Sequence, residues 1–449
     1  MSTDLHKLFL QLVRMGIGCE ADSELMVSGQ LSAEDWQALE ELANEHGLLG
    51  VMLDGVEKLP RELRPEKKAI IQSIGQLIQS EQQYAVQEHA AAEMGLLLHQ
   101  HGIRTYVLKG AVVAECYPRP EHRRSVDMDC FLVNDNVNDN QGSIRSRSEE
   151  NHSENLSTSK DSDNSKLSTL NSRLDIWERG NRVLEEQDFE VRRDFYKNST
   201  VVLPGLTVEN HRYLTPFRGN KRLKNLERFL QSMIVNDNLN ENGGGEEVMV
   251  SVNVKVEASN RRFQGTWLYR PPVMVSALFL IEHAYSHFLH EGLTWRMVLD
   301  WQMFCRRHRD EMDWQELEAR VDEFGFRRFY DVFNAIGVET FHDNANENDN
   351  QGSLRSKSEE NLIQNLSTYE LSTDSKLSTI DYKLKSKMLE DIWAPLDVHE
   401  TVTGLRGKLA LAGNTWRARW KYWHFTDISW LQALWIQAKG VLFEKNPKI

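Results

Sequence analysis

The sequence predicts an α+β fold in which a small mixed β-sheet is flanked by an N-terminal and a C-terminal helical region. The first observation is that residues 1–98 and 271–449 place apolar residues at the spacing of amphipathic helices. The second is that a β-branched run, a glycine turn, a helix and another strand follow one another inside residues 99–270. Three regions with these bounds are therefore expected.

Composition narrows the class of protein. A chain of 449 residues with 40% hydrophobic content can bury more than one core. Its net charge of −14 disfavours broad, non-specific binding of nucleic acid. The four cysteines are scattered and form no C-x-x-C pair, which is typical of a reducing compartment. No secretion signal is recognisable, and the apolar run from Val273 is too short for a membrane span, so we expect a cytoplasmic protein.

The N-terminal region begins with an amphipathic helix, "MSTDLHKLFLQLVRMGIG". Ser32 precedes a second helical pattern and is expected to be its N-cap. In the central region, "IRTYVLKGAVVAECY" predicts a strand from Ile103 to Leu108, a turn at Gly110 and a helix up to Pro118. The segments "DMDCFLV" and "LTVENHRYL" predict two further strands, with the helix "LDIWERGNRVLEEQDFEV" between them.

Three polar segments interrupt these patterns, at about 134–172, 236–247 and 343–385. The 32 residues from Asn138 recur from Asn348, with 22 of 32 positions identical. Both copies are rich in Ser, Asn and charged residues and almost lack aromatic residues, so they cannot bury enough apolar surface to fold as domains. We interpret all three segments as inserts in surface loops.

Two aspartates lie one residue apart in "RSVDMDCFL". On a strand, Asp127 and Asp129 share one face while Met128 and Cys130 share the other. An isolated pair of this kind is common at a strand end that is open to solvent. Here a third carboxylate, Glu209, follows on a later strand, and three such oxygen ligands suit Mg²⁺ or Mn²⁺. These ions stabilise the charge that develops during phosphoryl or nucleotidyl transfer.

The turn "LKGA" lies just before the acidic pair. Backbone N–H groups at Gly110 could bind the phosphates of a nucleoside triphosphate, with Lys109 as a nearby positive charge. Arg123 and Arg124 could add bidentate phosphate contacts. Lys109 could equally be an ordinary surface lysine at a turn, and Arg123 an ordinary solvated arginine.

Together these residues resemble the uncharacterised bacterial nucleotidyltransferase family, within the polymerase-beta-like nucleotidyltransferase superfamily. The resemblance covers about residues 90–310: the "LKG" turn, Arg123 before D-x-D, "VENH", and a helical pattern of two histidines, an arginine and an aspartate. It implies a nucleotidyltransferase palm, a divalent metal at Asp127, Asp129 and Glu209, and phosphate binding at Lys109, Gly110 and Arg123. The chain departs from the pattern at Ala111, where a second small residue, glycine or serine, is usual, and at Glu209, where aspartate is more common.

Other polar residues have simpler interpretations. His211 is expected to be a core histidine bonded to the backbone rather than a metal ligand. His283 and His287 lack the H-E-x-x-H pattern and are expected to pack near the cleft. Arg296 and Asp300, four residues apart, are expected to form an ion pair on one helix surface or between helices. The tryptophans of "NTWRARWKYWHFTDISWLQALW" could contact a membrane or bases, but helix packing is the commoner explanation.

The expected function is transfer of a nucleoside monophosphate from an NTP to an acceptor hydroxyl, with release of pyrophosphate. The acceptor could be a small molecule, a protein side chain or an RNA end, and the sequence does not determine the oligomeric state. The alternative is a catalytically silent interaction protein that keeps the fold, such as an antitoxin-like partner. A metal-dependent glycosyltransferase would also use D-x-D, but it would leave the glycine turn and "VENH" unexplained.

Overall fold

The computed structural model describes residues 3–20, 31–135, 176–193, 196–216, 220–242, 261–342, 382–393, 416–427 and 429–432. The predicted inserts at 134–172 and 343–385 lie largely outside these residues. The chain divides into two compact units: residues 1–75, 283–307 and 325–430 form the first, and residues 76–282, 308–324 and 431–449 form the second.

The described helices and strands follow one another in the order given next. In chain order, the elements are α1 (Thr3–Gly16), α2 (Ala33–Glu45), α3 (Leu49–Lys58), α4 (Lys67–Gln100), β1 (Ile103–Val107), α5 (Ala111–Ala114), β2 (Asp127–Asn134), α6 (176–185), β3 (Glu190–Arg192), β4 (Asn198–Leu203), β5 (Leu206–His211), α7 (Lys221–Asn242), β6 (Leu268–Tyr269), α8 (Val273–His290), α9 (Trp295–Arg307), α10 (Trp314–Glu323), α11 (Arg327–Phe341), α12 (Tyr382–Trp393) and α13 (Arg419–Phe425). Within the described part of the chain, no helix combines the length and the apolar character that a membrane crossing requires.

The first unit begins with the predicted amphipathic helix α1 and the predicted N-cap. Ser32 Oγ accepts a hydrogen bond from Asp35 N at 3.1 Å, and Asp35 Oδ2 accepts one from Ser32 N at 3.2 Å. This reciprocal pair is a capping box, which satisfies two N–H groups at the helix start. The chain then turns at Gly47, where φ is +68°, and α3 begins at Leu49.

The tryptophan-rich segment contributes α13 to the first unit. Tyr422 and Phe425 are buried, and Lys421 Nζ lies 2.6 Å from Asp391 Oδ1 on α12. Trp416 and Trp423 are more than half exposed. The helix therefore packs through its tyrosine, phenylalanine and lysine, whereas Trp423 on the helix and Trp416 just before it lie at the surface.

The second unit contains a six-stranded mixed sheet with the order β3-β4-β5-β2-β1-β6. The pairs β2/β5 and β1/β6 are parallel, and the other three pairs are antiparallel. Met128 and Cys130 point into a hydrophobic core formed with Met94 and Leu98 of α4 and Val183 of α6. The predicted alternation of β2 is confirmed, because Asp127 and Asp129 alternate with these two core residues and therefore point to the other face of the sheet.

Helix α7 extends into the segment predicted as a polar insert at 236–247. Asp237 and Asn238 are buried there. Tyr106 Oη donates a hydrogen bond to Asp237 Oδ2 at 3.1 Å, and Arg261 Nε lies 2.9 Å from Asp237 Oδ1. Asn238 Nδ2 donates to Asn134 O at 2.8 Å. Asp237 and Asn238 thus differ from the prediction of a polar surface insert, because their side chains are buried and find protein partners instead of solvent.

Helix α5 is shorter than predicted. It ends at Ala114 rather than continuing to Pro118. Its two valines are β-branched, and such residues lose side-chain freedom in a helix. A helix of four residues is also too short to be stable on its own. The segment lies between the antiparallel strands β1 and β2, where the chain reverses direction.

Candidate metal centre

Parallel pairing of β2 with β5 brings the predicted acidic residues together. Asp129 lies opposite Glu209, and Asp127 lies opposite Thr207. Two residues further along, Phe131 lies opposite His211. Because side chains alternate along both strands, Asp129, Glu209 and His211 lie on the same side of the sheet, opposite the hydrophobic core.

One ligand atom from each of Asp129, Glu209 and His211 lies within 4.8 Å of the others. Asp129 is 2% exposed and His211 is 1% exposed, whereas the Glu209 side chain is 37% exposed. The cluster therefore has a buried side formed by Asp129 and His211, and it opens to solvent at Glu209. Two carboxylates and an imidazole at such distances could hold a divalent cation.

His211 bridges this cluster to the backbone that follows β5. Its Nδ1 lies 3.2 Å from Tyr213 O, and its Nε2 lies 2.8 Å from Asp129 Oδ1 and 3.6 Å from Glu209 Oε2. Burial and the charge of Lys197 lower the pKa of His211, but the hydrogen bonds to Asp129 and Glu209 outweigh them, so its pKa is raised. Because the carbonyl and the carboxylate both accept, the ring donates from both nitrogens when it is protonated.

The expectation that His211 is a core histidine bonded to the backbone is therefore confirmed. His211 also belongs to the candidate cluster with Asp129 and Glu209, a membership that the sequence interpretation set aside in favour of core packing. The signal was present, because Glu209 and His211 are two residues apart on a predicted strand and must share a face.

The turn before α5 lies beside the start of β2. Gly110 has φ +79°, a conformation that costs glycine little, and a Cβ at this position would lie 3.3 Å from Asp127 O. Lys109 Nζ is 3.9 Å from Asp129 Oδ2, and its side chain is only 12% exposed. Lys109 is thus not a solvated surface lysine; its charge faces the cluster.

Asp127 and Arg123, two of the predicted site residues, lie outside the cluster of Asp129, Glu209 and His211. Asp127 is half-buried at the first position of β2 and is not among the three side chains within 4.8 Å of one another. Arg123 is 1% exposed, so it is not the solvated arginine of the simpler interpretation. A metal contact by Asp127 and a phosphate contact by Arg123 stay predictions.

A buried acid, Glu282 on α8, was missed at the sequence level. It is 1% exposed, and burial raises its pKa to about 7; Lys197 and His211 oppose the rise and Glu227 adds to it. Phe279, one turn earlier on the same helix face, packs edge-on against His211 with ring centroids 5.9 Å apart. The signal was a single acid inside the apolar run "VMVSALFLIEHAYSHF".

The histidines predicted near the cleft belong to the first unit. The His283 and His287 rings lie edge to face with centroids 4.5 Å apart, and His287 Nδ1 is 2.7 Å from Glu291 Oε2. Among the residues that the structure describes, neither histidine joins a cluster of three metal-ligating groups. Their proximity to the cleft and the pairing of Arg296 with Asp300 stay predictions.

The fold and the cluster define a mixed α/β protein with a candidate metal centre on paired strands beside a glycine turn. Residues 32–339 match the model of the family described as uncharacterised nucleotidyltransferase. Because this match spans more than half of the chain, the chain belongs to that nucleotidyltransferase family. No curated protein and no solved structure matches the chain.

Proposed function

We propose that the chain is a divalent-metal-dependent nucleotidyltransferase that moves a nucleoside monophosphate from an NTP to an acceptor hydroxyl and releases pyrophosphate. The observation that carries the proposal is the convergence of Asp129, Glu209 and His211 within 4.8 Å in a chain of this family. We also propose that the sheet is a polymerase-beta-like palm, as the sequence resemblance implies, and that the family is bacterial.

The chemistry of the three donors fits a divalent cation. Carboxylate oxygens suit Mg²⁺ and Mn²⁺, and the His211 nitrogen is tolerated better by Mn²⁺ than by Mg²⁺. Asp129 and Glu209 would hold the ion, His211 would complete the set at its buried side, and Asp127 would approach it from the start of β2. When bound, such an ion neutralises phosphate charge and promotes in-line displacement at phosphorus.

Other groups of the protein would bind the triphosphate and accept the proton in the proposed reaction. Lys109 lies beside Asp129 and would attract the triphosphate, while the backbone at Gly110 allows close approach of its phosphates. Glu209 is the most exposed member of the cluster and would accept the proton of the acceptor hydroxyl. The hydroxyl oxygen then forms a bond to the α-phosphorus as the bond to pyrophosphate breaks.

The acceptor is proposed only as a class. Small molecules, protein side chains and RNA ends all carry hydroxyl groups that this chemistry could use. The net charge of −14 disfavours a long nucleic acid, because its phosphates would be repelled unless they met a local basic surface.

Calorimetric titration of each NTP, with and without Mg²⁺, tests the proposal. Wild type is compared with an Asp127→Asn, Asp129→Asn double variant and with Glu190→Gln, an exposed acid at the edge strand β3. We expect metal-dependent binding of at least one NTP by wild type and Glu190→Gln, and none by the folded double variant. Absence of binding by folded wild type would favour the silent interaction protein instead.

A further inference from the structure

A buried carboxylate on α7 holds the turn that follows β5. Glu227 is 5% exposed, and its Oε1 accepts a hydrogen bond from Leu214 N at 3.1 Å. Its Oε2 accepts from Thr215 N at 2.8 Å and from Thr215 Oγ1 at 3.0 Å. Gln231, one turn along α7, donates a further hydrogen bond to Oε1. Glu227 on α7 thus holds two consecutive backbone N–H groups of the turn, those of Leu214 and Thr215.

The same turn contains the backbone group that orients His211. Tyr213 O lies 3.2 Å from His211 Nδ1, immediately before the two residues that Glu227 holds. On the other side, Tyr213 N and Arg212 N both donate to Lys197 O, at 3.0 and 2.7 Å. The Tyr213 peptide is therefore held from both ends, and its carbonyl direction is determined by these contacts.

Orientation of the ring decides which nitrogen faces the carboxylates. With Nδ1–H directed at Tyr213 O, Nε2 faces Asp129 Oδ1 at 2.8 Å and Glu209 Oε2 at 3.6 Å. A histidine that donates from one nitrogen to a backbone carbonyl presents the other nitrogen to a metal. Losing that hydrogen bond would let the ring rotate and would place Nε2 less precisely.

We propose that Glu227 is a positioning residue for the candidate metal centre, acting through the Tyr213–Thr215 turn on the His211 imidazole. This inference rests on the proposed function. It extends that function from the three clustered side chains to a fourth residue on a different element, which does not touch the metal or the substrate. The segment "RYLTPFRGNKRLKNLERF" contains both the turn and Glu227, 16 positions after His211.

Titration of the metal-free full chain with Mn²⁺ alone tests the inference. Glu227→Gln keeps the shape but can accept from only one of the two backbone N–H groups, and Glu227→Ala accepts from neither. We expect Mn²⁺ affinity to fall by up to about 10-fold for Glu227→Ala, the lower end of the range for direct partners of metal ligands, because Glu227 acts through the Tyr213 carbonyl; the fall is smaller for Glu227→Gln. Tyr106→Phe is the matched control, because it removes a buried hydrogen bond in the same unit away from the turn.

A second readout needs no metal. The ¹⁵N chemical shifts of His211, assigned by comparison with His211→Gln, report whether Nδ1–H remains hydrogen-bonded. We expect this signal to change in Glu227→Gln but not in Tyr106→Phe. Unchanged shifts in a folded Glu227→Gln variant would overturn the inference, as would an equal loss of Mn²⁺ affinity in Tyr106→Phe. If wild type binds no Mn²⁺ while the shifts change as expected, the proposed metal centre fails, but the orientation of the His211 ring by Glu227 stands.

Discussion

His211 Nε2 and Asp129 Oδ1 lie 2.8 Å apart although 82 positions separate the two residues. Both side chains are buried, on neighbouring parallel strands. A hydrogen-bonded pair in such surroundings is strongly coupled, because removing either partner deprives a buried polar group of this hydrogen bond.

This coupling gives a prediction for stability in the presence of a chelator. In a cycle of wild type, Asp129→Asn, His211→Gln and the double variant, we expect a coupling free energy of about 1–3 kcal/mol. Denaturant unfolding of the four proteins measures it. Additive effects of the two substitutions would show that the close approach of Asp129 and His211 contributes nothing to stability.

Gly110 gives a prediction about the turn. Gly110→Ala would force a side chain into the left-handed region at φ +79° and place Cβ 3.3 Å from Asp127 O. We expect a loss of about 1–2 kcal/mol in unfolding free energy, together with weaker NTP binding. Gly75→Ala in α4 is the control, because its Cβ meets nothing within 4 Å and helix propensity favours alanine by about 1 kcal/mol. Equal effects of the two substitutions would contradict the prediction.

Glu282 gives a prediction about pH. Its pKa rises from 4.5 to about 7 in the folded protein, so the native state retains a proton that the unfolded state has released between these values. Its contribution to stability is therefore lost as pH rises through this window and is constant above it. Glu282→Gln should equal wild type near pH 4.5 and exceed it by up to about 3 kcal/mol at pH 8.

Urea unfolding of both proteins across this pH range measures that difference. Because Lys197, Glu227 and His211 face Glu282 and are unchanged in the variant, the comparison isolates the Glu282 carboxyl. Glu190→Gln, at an exposed position, should show no such trend. A wild-type advantage that grows with pH would mean that the charged form of Glu282 is stabilised.

The buried residue Asp237 on α7 gives the fourth prediction. Asp237→Ala removes the partner of Tyr106 and Arg261, and we expect a loss of about 2–4 kcal/mol in unfolding free energy. Ser232→Ala, on the exposed side of the same helix, should change stability by less than about 0.5 kcal/mol. Thermal and urea unfolding compare the two variants. A neutral Asp237→Ala would support the interpretation of this segment as an insert.

Local pattern predicted much of the sheet. The strand from Ile103, the turn at Gly110, the acidic strand "DMDCFLV" and the strand "LTVENH" all appear where their alternation placed them. Such features depend on neighbouring residues, so a short stretch of sequence contains their physical cause. The strands β3, β4 and β6 were not predicted. The predicted helix "LDIWERGNRVLEEQDFEV" ends at residue 185, and its last residues form part of β3 instead, where pairing with β4 decides the conformation.

The tertiary structure decided which polar side chains converge in the candidate metal centre. Sequence alone determined that Asp127 and Asp129 share a face, and that Glu209 and His211 share one. Only the parallel register of β2 with β5 placed Asp129 opposite Glu209 and brought His211 within reach of both carboxylates. The burial of Glu227 and Glu282 was decided in the same way, because burial and hydrogen-bond partners depend on groups far away in the chain, which no local periodicity encodes.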